Sequence, residues 1–227
     1  MNLSNKPQLV IGNKNYSTWS LRAWLALHAF GIEFEEIQIE LFSDSAKPIL
    51  QQYSPTGKVP AYKDANSMVW DSLAIAGFLA NKFKDKNMWG NHPDICHSLV
   101  AEMHSGFLAL RNEMPMNIRA KRQIMPSQAC LNDINRVEQI FNKYRKEFVN
   151  EGDYLLGSLS LADVFFAPLA FRFKTYNHYS DIQLNQISQT YINTLLTHPS
   201  MQLWQQQALT ETSVIKHDET GMDVQNV

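Results

Sequence analysis

The chain is short of cysteine, of charge of one sign and of uninterrupted apolar sequence. Cys96 and Cys130 are its two cysteines. Lying far apart and outside any CxxC, they offer no disulfide framework, zinc knuckle or dithiol redox centre. A net charge of -2 at pH 7 excludes the basic footprint that nucleic acid or an anionic membrane surface requires. The richest apolar stretch, Leu161 to Phe173, is interrupted by Asp163, Pro168 and Arg172. It falls short of the roughly 20 residues a bilayer demands. Met1 to Gln8 is polar and lacks the apolar centre of a signal peptide, so a cytoplasmic protein is expected. There is no glycine-rich phosphate loop and no HExxH. His92, Cys96, His97 and His104 lack paired ligand spacing, so charged helix surface accounts for them and no metal is expected.

What the chain does have is enough apolar material for real cores, 44% of 227 residues, which suits one large domain or two small ones. Its two halves differ in texture. From Leu9 to about Phe83, strand and helix alternate. Leu9-Val10-Ile11 reads as a short strand. Leu21, Trp24, Leu25 and His28 follow helical spacing up to a cap at Gly31, and Ile37, Ile39 and Leu41 alternate as a second strand. Residues 44–52 form a short helix containing Pro48. Pro60–Lys63 and Met68–Trp70 flank the turn Asp64-Ala65-Asn66-Ser67 as a hairpin, and Asp71 or Ser72 caps a helix through Leu73, Ile75, Ala76, Leu79 and Phe83. The order is βαβ then αββα, which implies one parallel strand pair with an antiparallel hairpin added.

After a polar connector from Lys84 to Asp94 everything reads as helical. Helices are expected over Pro93–Asn112, Ser127–Phe148, from Ser160, over Ile182–Leu196 and over Ser200–Leu209, with a polar, mobile tail from Thr212. Ser160-Leu161-Ala162-Asp163 is a capping-box variant with a structural role. The division expected is 1–84, 93–212 and a tail at 213–227.

Two sites carry chemistry. Val59-Pro60 opens a strand in Gly57-Lys58-Val59-Pro60-Ala61-Tyr62. A proline at a strand's first residue marks a special backbone site and a candidate cis peptide, at which Val59 could pair strand-fashion with a peptide-like ligand. The turn Tyr16-Ser17-Thr18-Trp19-Ser20 follows the first strand. Its hydroxyls suit a helix cap, but the carboxyl end of the first strand of an α/β unit is also where ligands bind. Ser17 and Ser20 stand where a thioredoxin-like domain would carry its two cysteines. They cannot exchange disulfides, yet can hydrogen-bond a thiolate that a ligand brings. The helix from Ser72 offers unpaired N–H groups to a carboxylate, and Asp71 can answer an ammonium.

Together, Asn15-Tyr16-Ser17-Thr18-Trp19-Ser20-Leu21-Arg22, the Val59-Pro60 run, Asp71-Ser72-Leu73-Ala74-Ile75 and Ser158–Asp163 resemble a cytosolic glutathione transferase, specifically a serine-type bacterial member close to the zeta and tau classes. The resemblance implies an α/β plus all-α fold: a thioredoxin-like βαβαββα domain that binds glutathione, then an all-helical domain that binds the second substrate. It implies that the Ser17 hydroxyl donates to the glutathione sulfur, with Thr18 and then Tyr16 as the other candidate hydroxyls. Val59 ahead of Pro60 would pair with the cysteinyl part, Asp71 and Ser72 would hold the γ-glutamyl end, and Lys58 would lie near the glycyl end. It further implies a homodimer whose substrates are glutathione and a small apolar electrophile, with neither nucleic acid nor membrane as partner.

On the expected helix 93–112, His104, Phe107, Leu108 and Arg111 share a face. With Trp19 they are candidates for the second-substrate pocket or a dimer contact; a packed core helix explains them equally. Two other functions fit the same turn. One is a glutathione-dependent cis–trans isomerase like maleylacetoacetate isomerase, weakened because Trp19 and Leu21-Arg22 depart from the zeta Ser-Ser-Cys and Trp-Arg pattern. The other is a non-catalytic carrier or regulatory protein of the same fold.

Overall fold

The computed structural model describes residues 6–43, 46–176 and 182–224. The first strand, β1 (Gln8–Ile11), pairs in parallel with β2 (Glu35–Gln38), reached through helix α1 (Thr18–His28). Helix α2 (Ala46–Tyr53) leads to the hairpin β3 (Ala61–Lys63) and β4 (Met68–Trp70), and α3 (Ser72–Lys82) closes the unit. Residues 44 and 45, where the short helix was expected to begin, lie outside the described residues. Pro48 falls in the first turn of α2, where a missing N–H costs little. The sheet order is β2-β1-β3-β4, β3 running antiparallel to both β1 and β4.

Alternation along β1 sorts its side chains between two layers. Leu9 and Ile11 enter the large core with α1 and α3, while Val10 packs with Ile39, Ala46, Leu50 and Ala61 beneath α2. Gly12 follows the strand, and an added Cβ there would lie 2.4 Å from Leu41 Cδ1, so the Leu41 side chain would have to move.

The second half is helical: α4 (Pro93–Ser105), α5 (Leu108–Glu113), the short strand β5 (Arg122–Gln123), α6 (Gln128–Glu147), α7 (Leu161–Tyr176), α8 (Gln186–Thr197), α9 (Pro199–Ala208) and a last strand, β6 (Met222–Asp223). α7 is buried along almost its whole length and packs against α1, α4 and α8. None of the helices among the described residues is long and apolar enough to cross a membrane.

The expected single helix over 93–112 is two helices. Gly106 is extended, and an added Cβ there would meet the Glu102 carbonyl oxygen at 2.9 Å. Phe107 takes a left-handed conformation with φ 60°. The apolar spacing continues across this break, so periodicity alone does not reveal it. His104 and Arg111 therefore stand on different helices. Of the segment after Thr212, read as a mobile tail, residues 225–227 lie outside the described residues and residues 213–224 fold back over the molecule. Ile215 is buried, β6 pairs with β5, and Glu211 accepts from the Lys14 and Asn15 N–H groups at 2.6 and 3.0 Å.

Asp163 holds the start of α7. Its carboxylate accepts from Leu155 N–H (2.8 Å), Ser160 N–H (2.8 Å), the Ser160 hydroxyl (3.1 Å) and the Tyr191 hydroxyl (2.8 Å), all buried. Asp163→Ala leaves those donors unpaired and is expected to cost about 3–4 kcal/mol, read as a lower urea midpoint. A loss under about 1 kcal/mol would contradict this role.

Candidate active site

The turn after β1 is held from both sides. Ser17 is the N-cap of α1; its Oγ accepts from Ser20 N–H at 3.3 Å and donates to Ser20 Oγ at 2.8 Å. Ser20 Oγ also accepts from Gly12 N–H at 3.0 Å. The Ser17 proton can thus turn to another acceptor while Ser20 keeps a partner. The neighbouring Tyr16 hydroxyl is engaged elsewhere: it donates to Glu219 at 2.5 Å and accepts from Arg119 at 3.1 Å. Burial, then the Glu219 bond, raises its pKa above the ordinary phenol value.

Around this turn lie three adjoining cavities, and Trp19 lines them all. The first, about 510 Å³, is walled by Thr56, Lys58, Val59, Pro60, Trp70, Asp71, Ser72 and His104, a size typical of small-molecule sites. The Val59-Pro60 peptide bond is cis. Asp71, at φ 74°, caps α3 through Oδ1, which accepts from Leu73 N–H (2.8 Å) and Ala74 N–H (3.3 Å). Its Oδ2 lies 3.6 Å from His104 Nε2. The Ser72 hydroxyl is buried beside it without a hydrogen-bond partner.

The second cavity, about 420 Å³, is lined by Tyr16, Ser17, Thr18, Arg111, Arg172, Ile215, His217 and Asp218, among others. A third joins Ser17 to Lys58 and Val59 past Phe42 and Leu50. Ser17 therefore stands between the Lys58–Val59 segment and the helical half.

Sequence reasoning named Arg111 but missed the two guanidiniums gathered with it beside this junction, Arg22 and Arg172. The Cζ atoms of Arg22 and Arg111 each lie 4.8 Å from the Trp19 ring centroid. Arg22, wholly buried in α1, donates to the Phe165 carbonyl of α7 at 3.1 Å. Arg172 donates to the Arg111 carbonyl at 3.0 Å and to that of Met114. Burial first, then repulsion from Arg111, lowers the Arg172 pKa to about 10, and the same causes with Arg172 lower that of Arg22 well below the ordinary value. The signal lay in the sequence as the arginine that breaks the apolar run of α7. The tail residues Ile215, His217 and Asp218 were also missed, because they approach the site only through the fold.

Of the residues proposed for the second pocket, Trp19 and Arg111 line the cavity beside Ser17, while His104 faces the Asp71 cavity. Phe107 lines none of these cavities and belongs to the core, because the helix break turns it inward. Among the described residues, no three His, Cys, Asp or Glu side chains are grouped as a metal would require.

Burial lowers the His104 pKa, outweighing the pull of Asp71. Between that value and the ordinary ~6.5, the unfolded chain holds a proton that the folded chain does not. Stability contributed by neutral His104 is therefore lost as pH falls below ~6.5. Burial acts the same way on His28 and His198. Urea midpoints should decline from neutral towards acid, less so in His104→Gln; an imidazole NMR midpoint at or above ~6.5 for His104 would contradict the assignment.

A family description, "Glutathione S-transferase, N-terminal domain", matches residues 16–82. Glutathione S-transferase F13 of Arabidopsis thaliana is 26% identical over 168 residues, 69% of this chain and 76% of the relative. Glutathione S-transferase F6 of the same plant is 36% identical over 72 residues, 31% of this chain; the match spans about a third of that relative's length, 34%. A probable maleylacetoacetate isomerase of Caenorhabditis elegans is 23% identical over 77% of this chain and 82% of its own. A glutathione transferase homologue from Burkholderia, solved with bound glutathione, superposes with TM-score 0.65 at 19% identity over 89% of this chain and 98% of that one. For an epsilon-class glutathione S-transferase from the housefly Musca domestica the TM-score is 0.68 at 18% identity, over 96% and 100%. Residues 16–82 thus match the N-terminal domain of glutathione S-transferases, and the whole chain shares the transferase fold, a thioredoxin-like unit followed by a helical one.

Proposed function

We propose that the protein is a glutathione transferase that binds glutathione in the Asp71–Val59 cavity and presents its sulfur, beside Ser17, to a small electrophile in the neighbouring cavity. The observation that carries this is the position of Trp19, which lines both the Asp71–Val59 cavity and the one walled by the helical half, with Ser17 lining the latter and the third cavity that reaches Lys58 and Val59. The residues fit such a ligand. Ser72 offers a buried hydroxyl lacking a partner, at the start of an 11-residue helix, suited to the γ-glutamyl carboxylate. Asp71 keeps Oδ2 available to an ammonium while Oδ1 caps the helix. Val59 offers its backbone, and Lys58 a cation for the glycyl end. Residues 1–84 act as the glutathione-binding unit and 93–212 as the electrophile-binding unit, in a cytoplasmic homodimer.

Bound glutathione supplies a thiol, whose ordinary pKa is about 8.5. Holding it mostly as thiolate near neutrality requires a shift of roughly two units, about 2.7 kcal/mol. A Ser17 hydrogen bond to a charged acceptor contributes about 1.5–3 kcal/mol. The N-terminus of α1 adds roughly 0.3–1 kcal/mol. One hydroxyl and one helix end suffice. Tyr16 is the poorer candidate because its proton is directed at Glu219; Thr18 lines the same cavity as Ser17 and is second.

The isomerase relative, aligned over a longer part of this chain than the F13 transferase, favours a second reading, glutathione-dependent cis–trans isomerisation. Thiol counting separates the two, since conjugation consumes one thiol per turnover and isomerisation none.

Ser17→Ala should lower kcat/KM for conjugation about 100-fold, the equivalent of the ~2.7 kcal/mol above, with the thermal transition lowered only by loss of a cap, ~1 kcal/mol. Unchanged activity in that variant would move the role to Thr18. Asp71→Asn keeps the cap geometry and removes the charge, so calorimetry should show glutathione bound about tenfold more weakly, ~1.4 kcal/mol. Equal affinity would remove Asp71 from the ligand site.

A further inference from the structure

Ser17 owes only part of its position to its own turn. Within that turn the Asn13 carbonyl accepts from Tyr16 N–H at 3.3 Å and from Ser17 N–H at 2.9 Å. The two residues before Ser17 are held from far along the chain. Asn15, fully buried, donates from Nδ2 to Asn117 Oδ1 at 2.8 Å, and its own Oδ1 accepts from Arg119 N–H at 2.9 Å. Asn117 Nδ2 donates in turn to Glu219 Oε1 at 2.9 Å, the same oxygen that accepts from the Tyr16 hydroxyl at 2.5 Å. One carboxylate of the C-terminal segment therefore holds Tyr16 directly and Asn15 through Asn117. Each intermediate member uses both a donor and an acceptor, so the direction of the bonds is fixed, and a satisfied network of this kind holds one geometry.

Anchoring the tail does not require this arrangement. β6 pairs with β5, Val224 N–H donates to the Lys121 carbonyl at 3.1 Å, and the Arg119 guanidinium donates to the Ser213 carbonyl at 2.7 Å. Those contacts fix the segment on both sides of Glu219, and Arg122 already pairs with Glu219 Oε2. Glu219 lines none of the three cavities around Trp19, so it meets no substrate there.

We propose that Glu219 is a positioning residue for the transfer step, acting through Tyr16 and Asn117 to hold the Ser17 hydroxyl where a thiolate needs it. This role rests on the transferase reading, in which Ser17 faces the sulfur, and adds to it a requirement for the C-terminal segment. A hydrogen bond weakens steeply with distance and angle. Loosening this corner therefore removes part of what Ser17 contributes while the hydroxyl itself remains.

The test follows the thiol of bound glutathione by the ultraviolet absorbance of its thiolate against pH, beside the pH profile of kcat/KM, calorimetric glutathione binding and the thermal midpoint. Glu219→Gln should raise the bound thiol's pKa by about one unit. Its kcat/KM should fall about tenfold at acid pH and recover at alkaline pH, with glutathione affinity kept within about twofold. Tyr16→Phe removes the same bond from the other side, and serves should Glu219→Gln fail to fold. It should give the same shift, not additive with Glu219→Gln, and should change nothing further in a Ser17→Ala background. A lower thermal midpoint with an unmoved thiol pKa would make the network structural only and overturn the proposal. So would a further loss from Tyr16→Phe in the Ser17→Ala background, which would put the phenol on the sulfur itself. Both results leave glutathione binding standing, whereas a wild type that binds no glutathione removes the transferase reading as well.

Discussion

Helix α1 belongs to both halves of the molecule, and the site depends on that sharing. One side packs on the sheet and α3, the other on α7, and its residues from Ser20 to Leu27 are buried. Arg22 crosses the boundary as a charged side chain with almost no exposure, fastened to the Phe165 carbonyl. Burying a charge is costly unless other groups compensate. Here the surroundings are carbonyl dipoles and the Trp19 ring face. Because Ser17 starts this helix and Arg22 anchors it, the hydroxyl cannot shift without disturbing the contact between the halves.

The cleft also has an electrostatic gradient. At one end, Asp71 supplies negative charge; at the other, Arg111 and Arg172 supply positive charge, with Trp19 between them. The C-terminal segment completes the positive end. Glu211 and Glu219 tie it to Asn15, Tyr16 and Arg122, and so place Ile215 and His217 against the cavity.

Features written into local sequence were legible. The strand–helix alternation, the hairpin round Asp64–Ser67, the Val59-Pro60 site and the cap before α3 each depend on a few neighbouring residues whose chemistry dictates the backbone. The capping aspartate of α7 was legible for the same reason. The break at Gly106–Phe107 was not, because apolar residues keep helical spacing through it and only the neighbouring carbonyl of Glu102 shows why the chain turns. The tail was read by its polarity, and its polar groups are what hold it: Glu219 accepts from the Tyr16 hydroxyl some two hundred residues earlier in the chain. No window of sequence contains that pairing. Arg172 was visible only as an interruption of apolar sequence; its meaning needed Arg22 and Arg111 beside it.

Asp71 joins two demands that are usually met by different residues. Its backbone at φ 74°, ψ 135° lies outside the left-handed helical region, in territory where any side chain is strained. Its carboxylate meanwhile caps a helix and faces the cleft. Divergence at this position is therefore confined: asparagine keeps the turn and loses the charge, glycine keeps only the turn, and glutamate strains the backbone to keep the charge. A descendant of this protein that recognised a different ligand would find it easier to vary the walls around Trp19 than to alter this corner.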